Sequence, residues 1–470
     1  GGGPRSCPGA KAAGAHFRRP RSLFERSPPP RKTRPSPAAR LEKPWNPVEL
    51  EVELFCRGLL VDDSARADVQ ARRVARTRAG LGSGLELVIP APRQGVWVNV
   101  PLDEPFVAAT PLTLYKEGES FAVRDARLPD VVYPVRLPDP PAWYARSTKR
   151  GVPMTRVGVL QGTYLGVYFA ETCMYWYNTP SAANCKFCTT GVNVGTNEEL
   201  AKKVEDVVEV AKVAREESGV TFTHFNTGYH YEDDPKKRPM HGLMQARPFV
   251  SAIRRNVGGF IGVQAVPVLR DCWDEYDELI ELGCDHFSFC VELLDEKWFQ
   301  EVCPGKASTV GQDAFFDALE YTAKKLGRGR VSGEIIAGLE PIEATKRAID
   351  RIVAGGGFPT VCIFRPLAGS NLAHLPSPDP GAMREVMAYQ YEAARREGLA
   401  VGILPNIKVS LVVQPEEGRE LLPEKGWLDP YEWKVAALRA LARPYAAWRK
   451  RPRPDAPEFR PEIPGPSAVG

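Results

Sequence analysis

The spacing of apolar residues changes character along the chain. From about Trp45 to Asp139 short runs alternate apolar and polar positions, as at Leu50, Val52 and Leu54, Leu85, Leu87 and Ile89, Val96, Val98 and Val100, and Leu112 and Leu114. Gly, Pro or Asp bounds each run, in stretches such as 91–95 and 116–120. This period of two predicts half-buried antiparallel strands in a small β-rich N-terminal domain over 46–140. The Pro-rich stretch 138–153 reads as a linker.

Beyond the linker, strand and helix periods alternate. The apolar run 164–170 predicts a buried parallel strand. Thr196 and Glu199 are spaced as a capping box for a helix whose stripe is Leu200, Val204, Val207, Val208, Ala211 and Ala214, with Gly219 at its end. Strands over 220–225, 259–267, 285–291, 331–337 and 360–365 follow, separated by helices over 240–256, 271–282, 309–326 and 342–354. Six strands alternating with helices predict an α/β fold, a partial (β/α)6 TIM-like barrel over 150–375. Such folds place functional residues at strand C-termini. Residues 376–447 supply one or two helices, the apolar run 409–413, and Trp427, Tyr431 and Trp433, which complete or cap the barrel.

Charge redraws the ends of the chain. Residues 1–45 carry eleven Lys/Arg against two Asp/Glu, leaving 51 against 56 in the remainder of a chain of net charge +4. The Pro- and Arg-rich tail 1–45 and the segment 448–470 cannot bury enough surface to order themselves and are expected to be disordered. The mildly acidic remainder offers no surface for nucleic acid. No apolar run reaches the eighteen or so residues of a membrane span, so no membrane partner is expected. Ten cysteines without a signal-peptide core point to a reducing compartment, and cytoplasmic is the expectation.

Candidate chemistry centres on 164–191. The predicted strand delivers Cys173 at its C-terminal end, and the loop returns with Cys185, Lys186, Phe187 and Cys188. Three thiolates can hold a metal. Structural zinc wants four protein ligands, and no fourth Cys or His lies at finger or ribbon spacing. Iron–sulfur clusters are also held by thiolates, and a four-iron cluster on three of them leaves one iron open to a small chelating ligand.

A Cys-x-aromatic-Cys loop after the first strand of a β/α chain resembles the cluster loop of radical S-adenosylmethionine (radical SAM) enzymes. The first spacing departs from the family's three residues, with eleven between Cys173 and Cys185. The resemblance implies a 4Fe-4S cluster on Cys173, Cys185 and Cys188 and S-adenosyl-L-methionine chelated at the open iron. It also implies reductive cleavage to a 5′-deoxyadenosyl radical, a small-molecule substrate, and an electron donor such as flavodoxin or ferredoxin. By the same resemblance Phe187 packs near adenine, Thr227 and Gly228 meet the methionine amino group, and Glu292 meets ribose or methionine. The run 333–340 is similar to the family's GxIxGxxE motif through Gly333, Ile335 and Glu340, with Ala337 replacing the second Gly; Ile335 then packs on adenine. The segment 364–370 looks like the biotin-synthase-like branch, where Arg365 meets a carboxylate.

On strand 285–291 a period of two places His286, Ser288, Cys290 and Glu292 on one face. Cys290 is the candidate catalytic thiol, as a hydrogen donor or a second-cluster ligand, whereas His286 reads as a satisfied core histidine. Cys56, Cys272, Cys284, Cys303 and Cys362 read as core thiols. The absence of Asp-x-His-x-x-Gly disfavours a cobalamin-dependent methyltransferase, and the absence of a second Cys-x-x-Cys disfavours an auxiliary-cluster domain. The alternative from another class is a zinc-stabilised binding or scaffold protein, using the three cysteines and a histidine such as His230.

Overall fold

The run Leu50, Val52, Leu54 lies on a helix, not a strand. Pro47 opens α1 (Pro47–Arg57), Asn46 caps it by accepting from the N–H groups of Val48 and Glu49, and the Glu49 carboxylate returns to the Asn46 N–H. The helix is buried from Val48 through Cys56 on all but one side chain, so it lacks the polar stripe that betrays a helical period. The computed structural model describes residues 43–73, 84–92, 95–176, 183–234, 236–423 and 429–460. The tail 1–42, residues 461–470 and Trp427 lie outside these.

After α1 come β1 (Leu60–Val61), α2 (Asp63–Arg72), β2 (Leu85–Ile89), β3 (Val96–Val100), β4 (Leu112–Glu117), β5 (Ser120–Asp125) and β6 (Leu128–Val135). Strands β2 and β3 form an antiparallel pair, and β1-β4-β5-β6 form a second sheet in which β1 runs parallel to β4. Among its described residues the N-terminal region is therefore β-rich with two α-helices.

The next elements are α3 (Met154–Val157), β7 (Val159–Leu160), β8 (Leu165–Tyr168), α4 (Thr190–Asn193), α5 (Val204–Ser218), β9 (Phe222–Asn226), β10 (Tyr231–Glu232), β11 (Met240–His241), α6 (Arg247–Asn256) and β12 (Phe260–Ala265). They continue through α7 (Asp274–Leu282), β13 (His286–Glu292), α8 (Glu296–Val302), α9 (Pro304–Thr309), α10 (Asp313–Leu326), β14 (Val331–Ala337), α11 (Ile342–Ala354) and β15 (Phe358–Ile363). The helices α12 (Pro380–Arg396) and α13 (Pro430–Arg449) follow. One sheet, ordered β15-β14-β13-β12-β9-β8-β7, holds the six expected parallel strands, with β7 antiparallel at its β8 edge. It curls into a partial TIM-like barrel around a lumen, and alternate residues point inward.

Several local expectations fail for identifiable reasons. Helix α5 begins at Val204, so Thr196 does not cap it and Leu200 is 44% exposed. Lys202 is what that stretch buries, donating to the Tyr168 carbonyl (2.6 Å) and the Glu198 carboxylate (2.7 Å) behind β8. The run 409–413 is not a strand; Val409, Leu411 and Val412 instead face the lumen. Part of the C-terminal segment expected to be disordered packs on α6: Arg453 N–H donates to Arg254 O, and Ser251 Oγ donates to Pro457 O while accepting from Phe459 N–H.

The N-terminal region is tied to the barrel side by charge. The Glu53 carboxylate, 2% exposed, accepts from Arg57, Arg127 and Arg384, each at 2.8 Å, and Arg384 belongs to α12. Removing this carboxylate unpairs the partly buried Arg384 and leaves Arg127 with Asp125 alone. Glu53→Ala is expected to cost about 3 kcal/mol, read as a lowered denaturant midpoint; an unchanged midpoint contradicts this.

Candidate active site

The three cysteines of the loop after β8 line one cavity at the C-terminal mouth of the barrel, together with Phe187, Thr227, Gly228, Cys290 and Glu292. Each end of the loop is pinned by backbone. Met174 N–H donates to Tyr229 O (2.8 Å), and Tyr229 N–H donates to Cys173 Sγ (3.2 Å). On the other side Lys186 N–H donates to Val302 O (2.8 Å), Gly305 N–H to Ala183 O (3.0 Å), and Cys188 N–H turns back to Cys185 O (2.9 Å). Thr190 N–H donates to Cys188 Sγ (3.4 Å).

Gly228 is required by this packing. A Cβ there would stand 2.4 Å from Cys173 Cβ and 2.9 Å from the Tyr168 hydroxyl, closer than non-bonded atoms approach. The glycine lets β9's end slide under Cys173.

Burial dominates the electrostatics. It pushes the Cys173 thiol up, and takes Cys188 to about 12. Cys185 is raised by a hydrogen bond with Cys303 and then by burial. These thiols suit a soft metal whose charge holds them as thiolates. Among the described residues the tight group of possible metal ligands is elsewhere: His241, Cys272 and Glu275 bring ligand atoms within 4.8 Å of one another. That group is already partnered, since His241 Nδ1 stands 3.0 Å from Glu275 and Arg238 Nε 3.6 Å from the same carboxylate. The loop cysteines do not close to that spacing.

Sequence reading missed two residues here. Lys306, on α9, is buried and donates to Glu292 Oε1 (2.6 Å) and Cys290 O (3.0 Å). Burial alone lowers its pKa, but Glu292 and the neighbouring Cys185, Cys290 and Cys303 outweigh that and raise it. Cys303, read as a core thiol, is fully buried beside Cys185. Neither shares a motif with the cysteine loop, and only the fold brings them to it.

Glu292 reaches the cavity through an irregular strand end. The β13–β14 register shifts between Cys290 and Glu292, and Glu292 adopts φ 67°. A non-glycine residue there carries strain that its surroundings must compensate. Cys290 Sγ stands 3.8 Å from Glu334.

Two expected cofactor contacts are placed differently. Ile335 is fully buried and does not line the cavity; its neighbour Ile336 does. Glu334 and Ile336 share the inward parity of β14, which turns Ile335 toward the helices. Arg365 also does not line the cavity: it is buried over the Phe55 ring and donates to Asn99 O (3.1 Å). His230, the candidate fourth zinc ligand, holds the Glu171 carbonyl (3.0 Å) and does not line the cavity.

The lumen continues below this mouth. An upper chamber of about 180 Å³ holds the cysteines, and a lower one of about 490 Å³ lies toward the strand N-termini. They share the walls Tyr164, His224, Glu334, Thr360, Val409 and Val412. The larger chamber is thus the one farther from the thiols.

No protein-family model matches the chain. Among curated proteins it is 20% identical over 258 residues to bacteriochlorophyllide c C-7(1)-hydroxylase of Chlorobaculum limnaeum, covering 52% of this chain and 63% of that one. The chain thus spans less than two thirds of that relative. Among solved structures it is similar to HydG, a maturase of FeFe-hydrogenase, at TM-score 0.35 and 14% identity, covering 59% of this chain and 66% of HydG. It is similar to methylornithine synthase (PylB) at TM-score 0.36 and 15% identity, covering 64% and 90%. It is similar to coproporphyrinogen III oxidase (HemN) from Escherichia coli, described as a radical SAM enzyme, at TM-score 0.28 and 15% identity, covering 38% and 41%.

The fold is thus a parallel α/β half-barrel with a three-cysteine loop at its C-terminal mouth.

His224 and His286 carry a pH signature. Burial lowers His224 from 6.5 to about 3 and His286 to about 4, with His224 further lowered by His286 and His286 partly restored by Arg330 O and Asp285. Both are neutral when folded, yet protonate in the unfolded chain below its ordinary value. Their contribution is therefore complete above pH ~6.5 and is lost as pH falls from there toward the folded values. Between pH 6.5 and 5 each accounts for about 2 kcal/mol. Unfolding titrations are expected to show that His224→Gln loses about 2 kcal/mol less than the parent over that interval; parallel losses contradict the assignment.

Proposed function

We propose that the chain is a cytosolic radical SAM enzyme that holds a 4Fe-4S cluster on Cys173, Cys185 and Cys188, binds S-adenosyl-L-methionine beside it, and removes a hydrogen atom from a small organic or biosynthetic substrate. The observation that carries this reading is two buried thiols and one half-buried thiol around one cavity at the strand ends, which do not all come within 4.8 Å of one another. Tetrahedral zinc with bonds near 2.3 Å needs sulfurs about 3.8 Å apart; a cubane spreads its thiolates farther. The zinc-scaffold alternative also loses His230, which is turned to Glu171.

When bound, the cluster and S-adenosylmethionine supply a 5′-deoxyadenosyl radical. The chain's own groups have separable tasks. The cysteines would hold the cluster and supply it with three thiolates, while the N–H groups of Tyr229 and Thr190 donate to two of the sulfurs. The backbone at Thr227 and Gly228 meets the methionine amino group, and Phe187 packs on adenine. Ile336 supplies the apolar contact first assigned to Ile335. Glu292, fixed by Lys306, hydrogen-bonds the ribose or the methionine. Cys290 stands as hydrogen donor to a substrate radical. Arg365 works behind the wall, holding the N-terminal region against the barrel. Val409, Leu411 and Val412 close the side of the lumen and exclude water from the reacting atoms.

The substrate is a small molecule, and the electron comes from a donor such as flavodoxin or ferredoxin. The relative's name adds C–H hydroxylation to the outcomes that hydrogen abstraction can serve.

Anaerobically reconstituted protein is expected to convert S-adenosylmethionine to 5′-deoxyadenosine under reductant, and Cys185→Ala to bind less iron and fall to the protein-free background. Gly228→Ala, which forces Cys173 aside, is expected to lower iron content as well. Stoichiometric zinc without iron or sulfide, or a Cys185→Ala variant that cleaves as fast as the parent, contradicts the proposal.

A further inference from the structure

The cysteine mouth leaves the larger part of the lumen without a task. The lower chamber, about 490 Å³, has the size of a small-molecule site, about 300–1,000 Å³. Its wall is mostly apolar: Phe222, Phe260 and Phe358 at the strand starts, Leu404 from the following loop, and Leu438 and Tyr445 from α13. Most of the charged groups at its edge are held by protein partners. Asp285 is paired with Arg254 (2.6 Å) and with Arg449 Nε (2.9 Å), Arg330 lies over the Tyr445 ring, and Glu416 is 3.6 Å from Lys408. Because the wall is mostly apolar, and Glu334 on the shared wall is held by Ser288 and Gln264, a neutral occupant is favoured over a charged one.

At the neck one polar group has no partner. His224 is 8% exposed, lines both chambers, and its Nε2 is buried without a hydrogen bond. A buried imidazole nitrogen left this way costs free energy that a ligand can recover. His286, by contrast, is engaged at both nitrogens, by Arg330 O (2.9 Å) and Ser332 Oγ (3.2 Å). The chamber also reaches the surface, because Leu441 of α13 lines it and is 70% exposed.

We propose that the lower chamber binds the apolar part of an extended, electrically neutral substrate, with one hydroxyl, amide or carbonyl of that substrate bonded to His224 at the neck and its reacting carbon above, beside the cysteine mouth. This rests on the enzyme reading given above. The shared walls make one molecule able to occupy both chambers, which selects substrates with a long or broad apolar body over compact polar ones.

The test uses the full, anaerobically reconstituted chain titrated with Nile red, a neutral apolar dye, and with 1-decanol and 1-chlorodecane as competitors. Saturable dye binding displaced by both competitors is expected. Ala442→Trp and Leu438→Trp, which fill the chamber from α13, should each weaken binding by about tenfold. His224→Phe should weaken 1-decanol about 3- to 10-fold and leave 1-chlorodecane unchanged. Absence of saturable binding, parent-like binding by both tryptophan variants, or an equal effect of His224→Phe on the two competitors overturns the proposal. 5′-Deoxyadenosine formation by the same preparation separates the two readings. Cleavage without dye binding removes the chamber and leaves the enzyme; dye binding without cleavage removes the enzyme reading and, with it, the occupant's role as substrate.

Discussion

The buried ammonium of Lys306 is the contact on which the rest of the site depends. It sits between Glu292 and the thiols of Cys185, Cys290 and Cys303, donating to the Glu292 carboxylate and the Cys290 carbonyl. A buried charge of this kind costs several kcal/mol unless it is paired and hydrogen-bonded, so α9 and the end of β13 must stay together. Keeping Glu292 in place takes a residue at φ 67° and a register shift, a local strain of about 1–3 kcal/mol. The cysteine loop rides on the same segment, through Gly305 to Ala183 and through the Lys186–Glu301 ion pair. One buried ion pair thus positions both the acidic side chain and the half of the loop that carries Cys185 and Cys188.

The barrel sorts its inward residues by height. At the lower end the strand starts give Phe222, Phe260 and Phe358. Higher up the strands give Gln264, Cys290, Glu334 and Cys362. Gly262 makes room in the middle, where a Cβ would come within 2.6 Å of the His224 ring and 2.7 Å of Phe222. A polar line runs up one wall from His286 through Ser332 and Ser288 to Glu334, which Gln264 also contacts. Burial raises the Glu334 carboxyl above its ordinary value, against the Ser288 and Gln264 donors that lower it. The lumen is apolar below and hydrogen-bonding above.

The six parallel strands were legible because each is a local apolar run bounded by turn residues, and period two on β13 put His286, Ser288 and Cys290 on the lumen face, which Glu292 reaches through the irregular strand end. Helix α1 was not legible, because burial around nearly its whole circumference erased the polar stripe that marks a helix. The spacing of Thr196 and Glu199 imitates a capping box, but Lys202 finds its partners behind β8 and the helix starts after it. The parity of β14 could have turned the reading from Ile335 to Ile336, since Glu334 and Ile335 cannot both face the lumen. Lys306 and Cys303 lie more than a hundred residues from the cysteine loop, and no local pattern reports a contact that only the barrel closes.

The central claim is that three sulfurs hold a four-iron cluster with one iron left for S-adenosylmethionine. Mössbauer spectroscopy of protein reconstituted with ⁵⁷Fe tests this most directly, before any substrate is known. The account predicts cubane signals in which one iron in four changes its isomer shift when S-adenosylmethionine is added. Signals that do not respond to it, or protein that retains zinc and no iron, would contradict the account.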